Sequence, residues 1–129
     1  MKKMPLFKEA LLRFQEALAI DPEHPLSLDG SIQRFEFVFE LAWKAIQENL
    51  LTQGIEVQSP RQAFERAYAL SWIDDEVLWI NLLKDRNLTV HTYDHPLAQR
   101  IYGHLPQYYV ALQRLYTTLE SLPNAPSRL

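Results

Sequence analysis

Apolar residues recur at helical spacing through most of the chain, and prolines and glycines fall between the runs. Leu6, Ala10, Leu11, Phe14, Ala17 and Leu18 share one face of a first helix, with Pro5 tolerated in its first turn. Asp21-Pro-Glu-His-Pro25 ends that pattern, because each proline biases its predecessor away from helix. A second helix is predicted from about Asp29 to Thr52, with Gly54 as its left-handed stop. Its apolar positions include Ile32, Phe35, Val38, Phe39, Ala42, Trp43, Ile46 and Leu50. They span roughly 200° of the helical wheel, which leaves Gln33, Glu36, Glu40, Lys44 and Gln47 on the polar arc. So wide an apolar arc predicts burial on two sides, by the bundle and by a partner subunit. Arg34 breaks the pattern on the line of Phe37, Val38, Leu41 and Ala45. An unpaired charge there would be costly, so a partner is expected: an acid such as Glu40 of the partner subunit, or Asp85.

Ser59-Pro60-Arg61-Gln62 supplies an N-cap, a first-turn proline and a capping-box glutamine for a third helix reaching about Leu70. Asp74, Asp75 and Glu76 put negative charge at the start of a fourth, where the macrodipole favours it. Adjacent residues at a helix start point apart, so this triplet reads as capping rather than as a metal site. Asp94-His95-Pro96 opens a fifth helix with Leu97, Ile101, Leu105, Tyr108, Leu112, Leu115 and Leu119 on its apolar face. Pro106 inside it predicts a kink. The expectation is an all-α fold of about five helices. A single domain would cover residues 1–122, with 123–129 as a flexible tail.

Composition narrows the chemistry. A chain of 129 residues that is 47% hydrophobic suits one core. The absence of cysteine excludes disulfides, thiolate catalysis and cysteine-based metal centres. Three glycines, at Gly30, Gly54 and Gly103, cannot build a Gly-rich phosphate cradle. No apolar run approaches the ~18 residues of a membrane span, and Glu9 and Arg13 interrupt the first segment before a signal-peptide core forms. The chain reads as cytoplasmic. A net charge of −3 argues against nucleic-acid binding by bulk electrostatics, though a local basic site inside an acidic envelope would still admit RNA.

The segment Asp85-Arg-Asn-Leu-Thr-Val-His-Thr-Tyr93 concentrates a cation, an imidazole and a phenol at a helix end. Arg86 can stabilise charge on a phosphate through its guanidinium fork, and His91 can move a proton near neutral pH. On an unbroken helix the two would lie ~140° apart. Sharing one phosphate requires the helix to end or bend near Thr89–Val90, or two copies to meet across a dimer. Without more, an arginine and a histidine at a helix end are commonly structural, and Tyr93 could simply pack on a neighbouring helix. A metal site of His91, Asp94 and His95 is disfavoured by Pro96 and by the N-cap expected at Asp94. His24 and His104 read as solvated side chains.

Arg86-x4-His91-x-Tyr93, with the polar Asn87 after the arginine, resembles the R-x4-H-x-Y signature of HepT-type proteins of the HEPN superfamily. The run Ser31-Ile-Gln-Arg-Phe-Glu-Phe-Val-Phe-Glu-Leu-Ala-Trp-Lys44 is similar to the group's other hallmark. The group is also called nucleotidyltransferase substrate-binding proteins. The resemblance, over roughly Leu6 to Glu120, implies an up-and-down helical bundle that forms a homodimer, its two motifs facing one another in a cleft. It also implies a metal-independent ribonuclease that needs no cofactor. The 2′-hydroxyl of RNA, whether transfer or messenger RNA, would attack the adjacent phosphate. His91 would act as acid or base and Arg86 would stabilise the phosphorane-like charge, with Asn87 and Arg34 supporting. The implied partner is a minimal nucleotidyltransferase antitoxin that transfers AMP to Tyr93. An alternative is a subunit that presents a substrate to that transferase and cuts nothing.

Overall fold

The computed structural model describes residues 1–123; the tail expected over 123–129 lies, beyond Pro123, outside the described residues. Among the described residues there are five α-helices and no strand: α1 (Lys3–Leu18), α2 (Ser27–Leu51), α3 (Pro60–Ala69), α4 (Glu76–Leu88) and α5 (His95–Ser121). A 3₁₀ turn, Thr89–His91, separates α4 from α5. None of these helices is long and apolar enough to cross a membrane.

The helix boundaries follow from local chemistry. Gly54, at φ +75°, ends α2, and the amides of Gly54 and Ile55 donate to the Leu51 and Leu50 carbonyls. Ser59 caps α3 by accepting from the Gln62 amide at 3.2 Å. Gln62 returns its side-chain oxygen to the Gln58 amide at 2.7 Å, one residue earlier than a standard capping box would place it. Asp75 and Asp94 cap α4 and α5 through the Leu78 and Leu97 amides. The cap on α5 thus engages Asp94 through its Oδ1. α5 runs unbroken past Pro106, whose ring is on the exposed side, where water can serve the carbonyl it leaves without a donor.

α2 is the central element, with α1, α5 and α3 packed around it. That explains most of the wide apolar arc from within one chain. Ile32, Phe35, Val38, Phe39, Ala42, Ala45, Ile46 and Leu50 are all buried in the common core. Its centre is aromatic: Phe35 stacks on Tyr108 at 5.6 Å between ring centroids and also meets Phe14 and Phe39. Phe39 in turn meets Phe64, and Phe64 meets Trp79, which carries the contact from α2 through α3 to α4. What the chain leaves uncovered on α2 is a strip with Phe37, 49% exposed, and half-buried Leu41, beside Arg34 and Leu6.

Phe35 has no exposed surface and joins α1, α2 and α5, so Phe35→Ala is expected to cost ~3–5 kcal/mol. Urea unfolding followed by far-ultraviolet circular dichroism measures this. A loss under ~1 kcal/mol would contradict the placement of the aromatic centre.

Candidate functional site

The motif lies where α4 stops. α4 ends at Leu88 and the chain turns at once into the 3₁₀ segment. The break thus falls just before Thr89–Val90, where a shared phosphate would require it. Thr89, which is buried, anchors the turn. Its hydroxyl lies 2.7 Å from the Arg86 carbonyl and 3.0 Å from the Glu36 carboxylate, and its one proton serves either acceptor.

Arg86 is held on three sides. Its Nη2 donates to Glu40 Oε2 at 3.0 Å, and its Nη1 donates to Asn87 Oδ1 at 3.2 Å. The guanidinium carbon sits 4.6 Å from the centre of the Phe39 ring, a cation–π contact against the core. About a third of the side chain remains exposed, so N–H groups are left for a further acceptor. Lys44 approaches the other oxygen of Glu40 at 3.3 Å. Burial on its own would raise the Glu40 pKa. The Lys44 ammonium, a weaker pull from the Trp43 indole, which completes no hydrogen bond itself, and the Arg86 charge together hold it below the usual carboxylate value.

His91 and Tyr93 form a second, outward pair. The Tyr93 hydroxyl lies 3.1 Å from His91 Nδ1, and the rings meet edge to face with centroids 5.8 Å apart. Tyr93 is 83% exposed, so it does not pack on a neighbouring helix. No hydrogen bond joins the Arg86 group to the His91 group among the described residues.

Arg34 stands apart from both pairs. It is half-buried in the shallow groove between α1 and α2, and it makes no ion pair among the described residues. Of the two acids expected for it, Glu40 serves Arg86 and Lys44 within the chain, and Asp85 faces α5.

The sequence reading missed the residues that support the motif. Glu36 and Glu40, assigned to a polar arc, instead reach Thr89 and Arg86, and Lys44 pairs with Glu40; their i, i+4 spacing was the available signal. His104 is not a freely solvated side chain, because its Nδ1 lies 2.7 Å from Asp85 Oδ2. The same oxygen accepts from the Tyr108 hydroxyl at 2.6 Å. Burial, followed by the Asp85 hydrogen bond and charge, pushes the Tyr108 phenol above its ordinary range, so it stays a donor. Among the described residues no group of three His, Asp or Glu side chains could hold a metal ion.

The family model described as nucleotidyltransferase substrate binding protein like matches residues 2–121. A Haemophilus influenzae protein named "Probable ribonuclease HepT" is 30% identical over 86 residues, which cover 63% of this chain and 59% of that relative. A crystal structure of a Thermus thermophilus protein is similar with a TM-score of 0.83 and 34% identity, over 88% of this chain and 98% of its own. A second structure, from Haemophilus influenzae, is described as the fold of a substrate binding domain of a nucleotidyltransferase. It has a TM-score of 0.80 and 22% identity, over 92% of this chain and 99% of its own, a likeness of fold.

The Arg86–Glu40 pair generates a pH prediction. Because the Glu40 pKa is lowered in the fold, its ionic contribution is present above the unfolded value, near 4.5, and is lost as pH falls through the folded value. The Glu40 side chain is 39% exposed, so solvent screening limits the pair to ~1 kcal/mol or less. Glu40→Gln is expected to be slightly less stable than wild type at neutral pH, by a gap that narrows at acid pH. Chemical denaturation at neutral and at acid pH measures this; a gap that widened on acidification would refute it.

Proposed function

Since this chain belongs to the nucleotidyltransferase substrate binding protein like family, of which HepT-like proteins are part, we propose that it is the toxin ribonuclease of a pair with a minimal nucleotidyltransferase. One observation carries this reading. Arg86, fixed by Glu40, Asn87 and Phe39 yet still partly open, lies just upstream of an exposed imidazole that touches an exposed phenol. A guanidinium with free N–H groups suits a phosphate whose negative charge grows as a fifth oxygen joins phosphorus. An accessible imidazole suits the proton transfers of that step.

In the proposed reaction the 2′-oxygen of RNA bonds to the neighbouring phosphorus as its proton leaves to a base. The bond from phosphorus to the 5′-oxygen breaks, and that oxygen takes up a proton. The products are a 2′,3′-cyclic phosphate and a 5′-hydroxyl. His91 serves one of the two transfers. Two copies of the motif, facing each other in a homodimer, would supply two imidazoles. The uncovered strip of Phe37, Leu41 and Leu6 is the apolar surface available for such pairing, and it would bring Arg34 against the partner subunit.

Silencing would use the same geometry. The Tyr93 oxygen would attack the α-phosphorus of ATP and release pyrophosphate, its proton passing to solvent or to His91. The resulting phosphodiester would sit against Nδ1 of His91 and set a negative charge before the RNA. The second reading, a subunit that presents a substrate to the transferase without cutting, is favoured by the family description and by the description of the Haemophilus influenzae fold.

Arg86→Ala and His91→Ala are each expected to lower RNA cleavage by at least ~10²–10⁴-fold while the protein stays folded. Cleavage should persist in EDTA and leave cyclic phosphate ends. Tyr93→Phe should retain most activity but escape silencing by the transferase and ATP. Equal cutting by wild type and His91→Ala would transfer support to the substrate-presenting reading.

Assembly is tested separately. Light scattering at micromolar concentration should give twice the chain mass, and Phe37→Glu should shift it toward the monomer. A monomeric wild type would remove the shared cleft.

A further inference from the structure

α4 and α5 leave an open groove between them that the catalytic reading does not use. On α4 its wall is the stripe Asn81, Lys84, Asp85 and Leu88, at i, i+3, i+4 and i+7 spacing; on α5 Arg100 and His104 follow each other by one turn. Arg86 does not line it, because it is turned ~100° from Asp85 toward α2.

The polar arrangement of this groove is built from below. Asp85 is buried, and its Oδ2 accepts from the Tyr108 hydroxyl and from His104 Nδ1. With Nδ1 turned to the carboxylate, the outer nitrogen of His104 is the one left facing the groove. It accepts when the ring is neutral and donates when the ring is protonated. That nitrogen has no partner among the described residues, and the side chain is 38% exposed. Lys84 and Arg100 line the same groove and enter no ion pair among the described residues. The negative charge of Asp85 is turned inward to its two donors. The other acid of the lining, Asp75, is ten residues up α4, or roughly 15 Å away along the axis. Cationic character therefore gathers at the end of the groove beside Leu88, where α4 gives way to the motif.

We propose that Lys84, Arg100 and His104 form a second phosphate subsite, taking a backbone phosphodiester of single-stranded RNA a short way along the strand from the one at Arg86. This deepens the ribonuclease reading and rests on it. A strand gripped at two points is held in register, so that the scissile phosphate does not slide past Arg86. Asp85 and Tyr108 are positioning residues here: they fix the imidazole and do not touch the ligand.

The test uses the full chain and a short deoxyoligonucleotide, which lacks the 2′-hydroxyl and stays intact. Its binding is followed by fluorescence anisotropy over a salt series, for wild type, the double variant Lys84→Gln/Arg100→Gln, and His104→Gln. Loss of one neutralised phosphate predicts that the double variant loses about 0.7 from the slope of log K against log salt, with weakening on the order of tenfold at low salt. His104→Gln should weaken binding less, and the imidazole nitrogen signal absent from that variant should be the one that shifts in wild type on adding the oligonucleotide. With cleavable RNA, the double variant should raise KM more than it lowers kcat. Lys84 and Arg100 are exposed, so these substitutions leave the fold intact even if His104→Gln does not. Absence of binding by wild type, or an unchanged slope in the double variant, overturns the subsite. Failure of the ribonuclease reading shows differently: the oligonucleotide binds through the groove, yet RNA is not cut, or is cut equally by His91→Ala.

Discussion

Asp85 is a carboxylate taken out of water next to the residue that carries the proposed chemistry. Left unpaired at that depth it would cost several kcal/mol, so α5 must present Tyr108 and His104 at one register for the fold to close. α4 offers little else to fix its position, since Trp79, Leu82 and Asp85 are its buried residues. One polar contact thereby sets where the last turn of α4 lies. The next residue, Arg86, is carried round to α2, where Glu40 and Phe39 receive it. Adjacent residues of opposite charge thus tie the end of α4 to α5 on one side and to α2 on the other.

This bracing gives the two halves of the motif different characters. Arg86 is fixed from several directions before any ligand arrives, which is what electrostatic stabilisation of a developing charge needs. Its attachment to Glu40 also tempers it, because any further acceptor must share the guanidinium with a carboxylate already in place. His91 and Tyr93 are exposed and bonded chiefly to one another. A group added to the Tyr93 oxygen meets no neighbouring helix and lies at once against the imidazole. The same exposure leaves both the imidazole and the phenol open to solvent.

The central position of α2 accounts for its composition. A helix contacted by α1, α5 and α3 must be apolar around more than half its circumference, and the rings of Phe35 and Phe39 fill the space between those neighbours. Two acids of its polar arc, Glu36 and Glu40, meet Thr89 and Arg86 at the end of α4. The helix at the heart of the core therefore also supplies acidic partners to the motif, which couples packing in the core to the placement of Arg86.

Helical periodicity, proline and glycine punctuation and capping residues were sufficient to locate all five helices within a few residues, because these signals act over one or two turns. Ser59, Asp94 and Gly54 do in the structure what their local chemistry demanded. The segment from Arg86 to Tyr93 stood out on local content alone, since a cation, an imidazole and a phenol lie close together in the chain. The partners of these residues did not. Glu40 is 46 positions from Arg86 and Tyr108 is 23 from Asp85, and nothing local in a polar arc or an apolar face announces such pairings. His104 looked solvated for the same reason. The sequence by itself determined which elements form and which side chains could do chemistry. Only tertiary packing decided which carboxylate faces which cation, because that depends on how helices distant in sequence rotate to bury their apolar faces together.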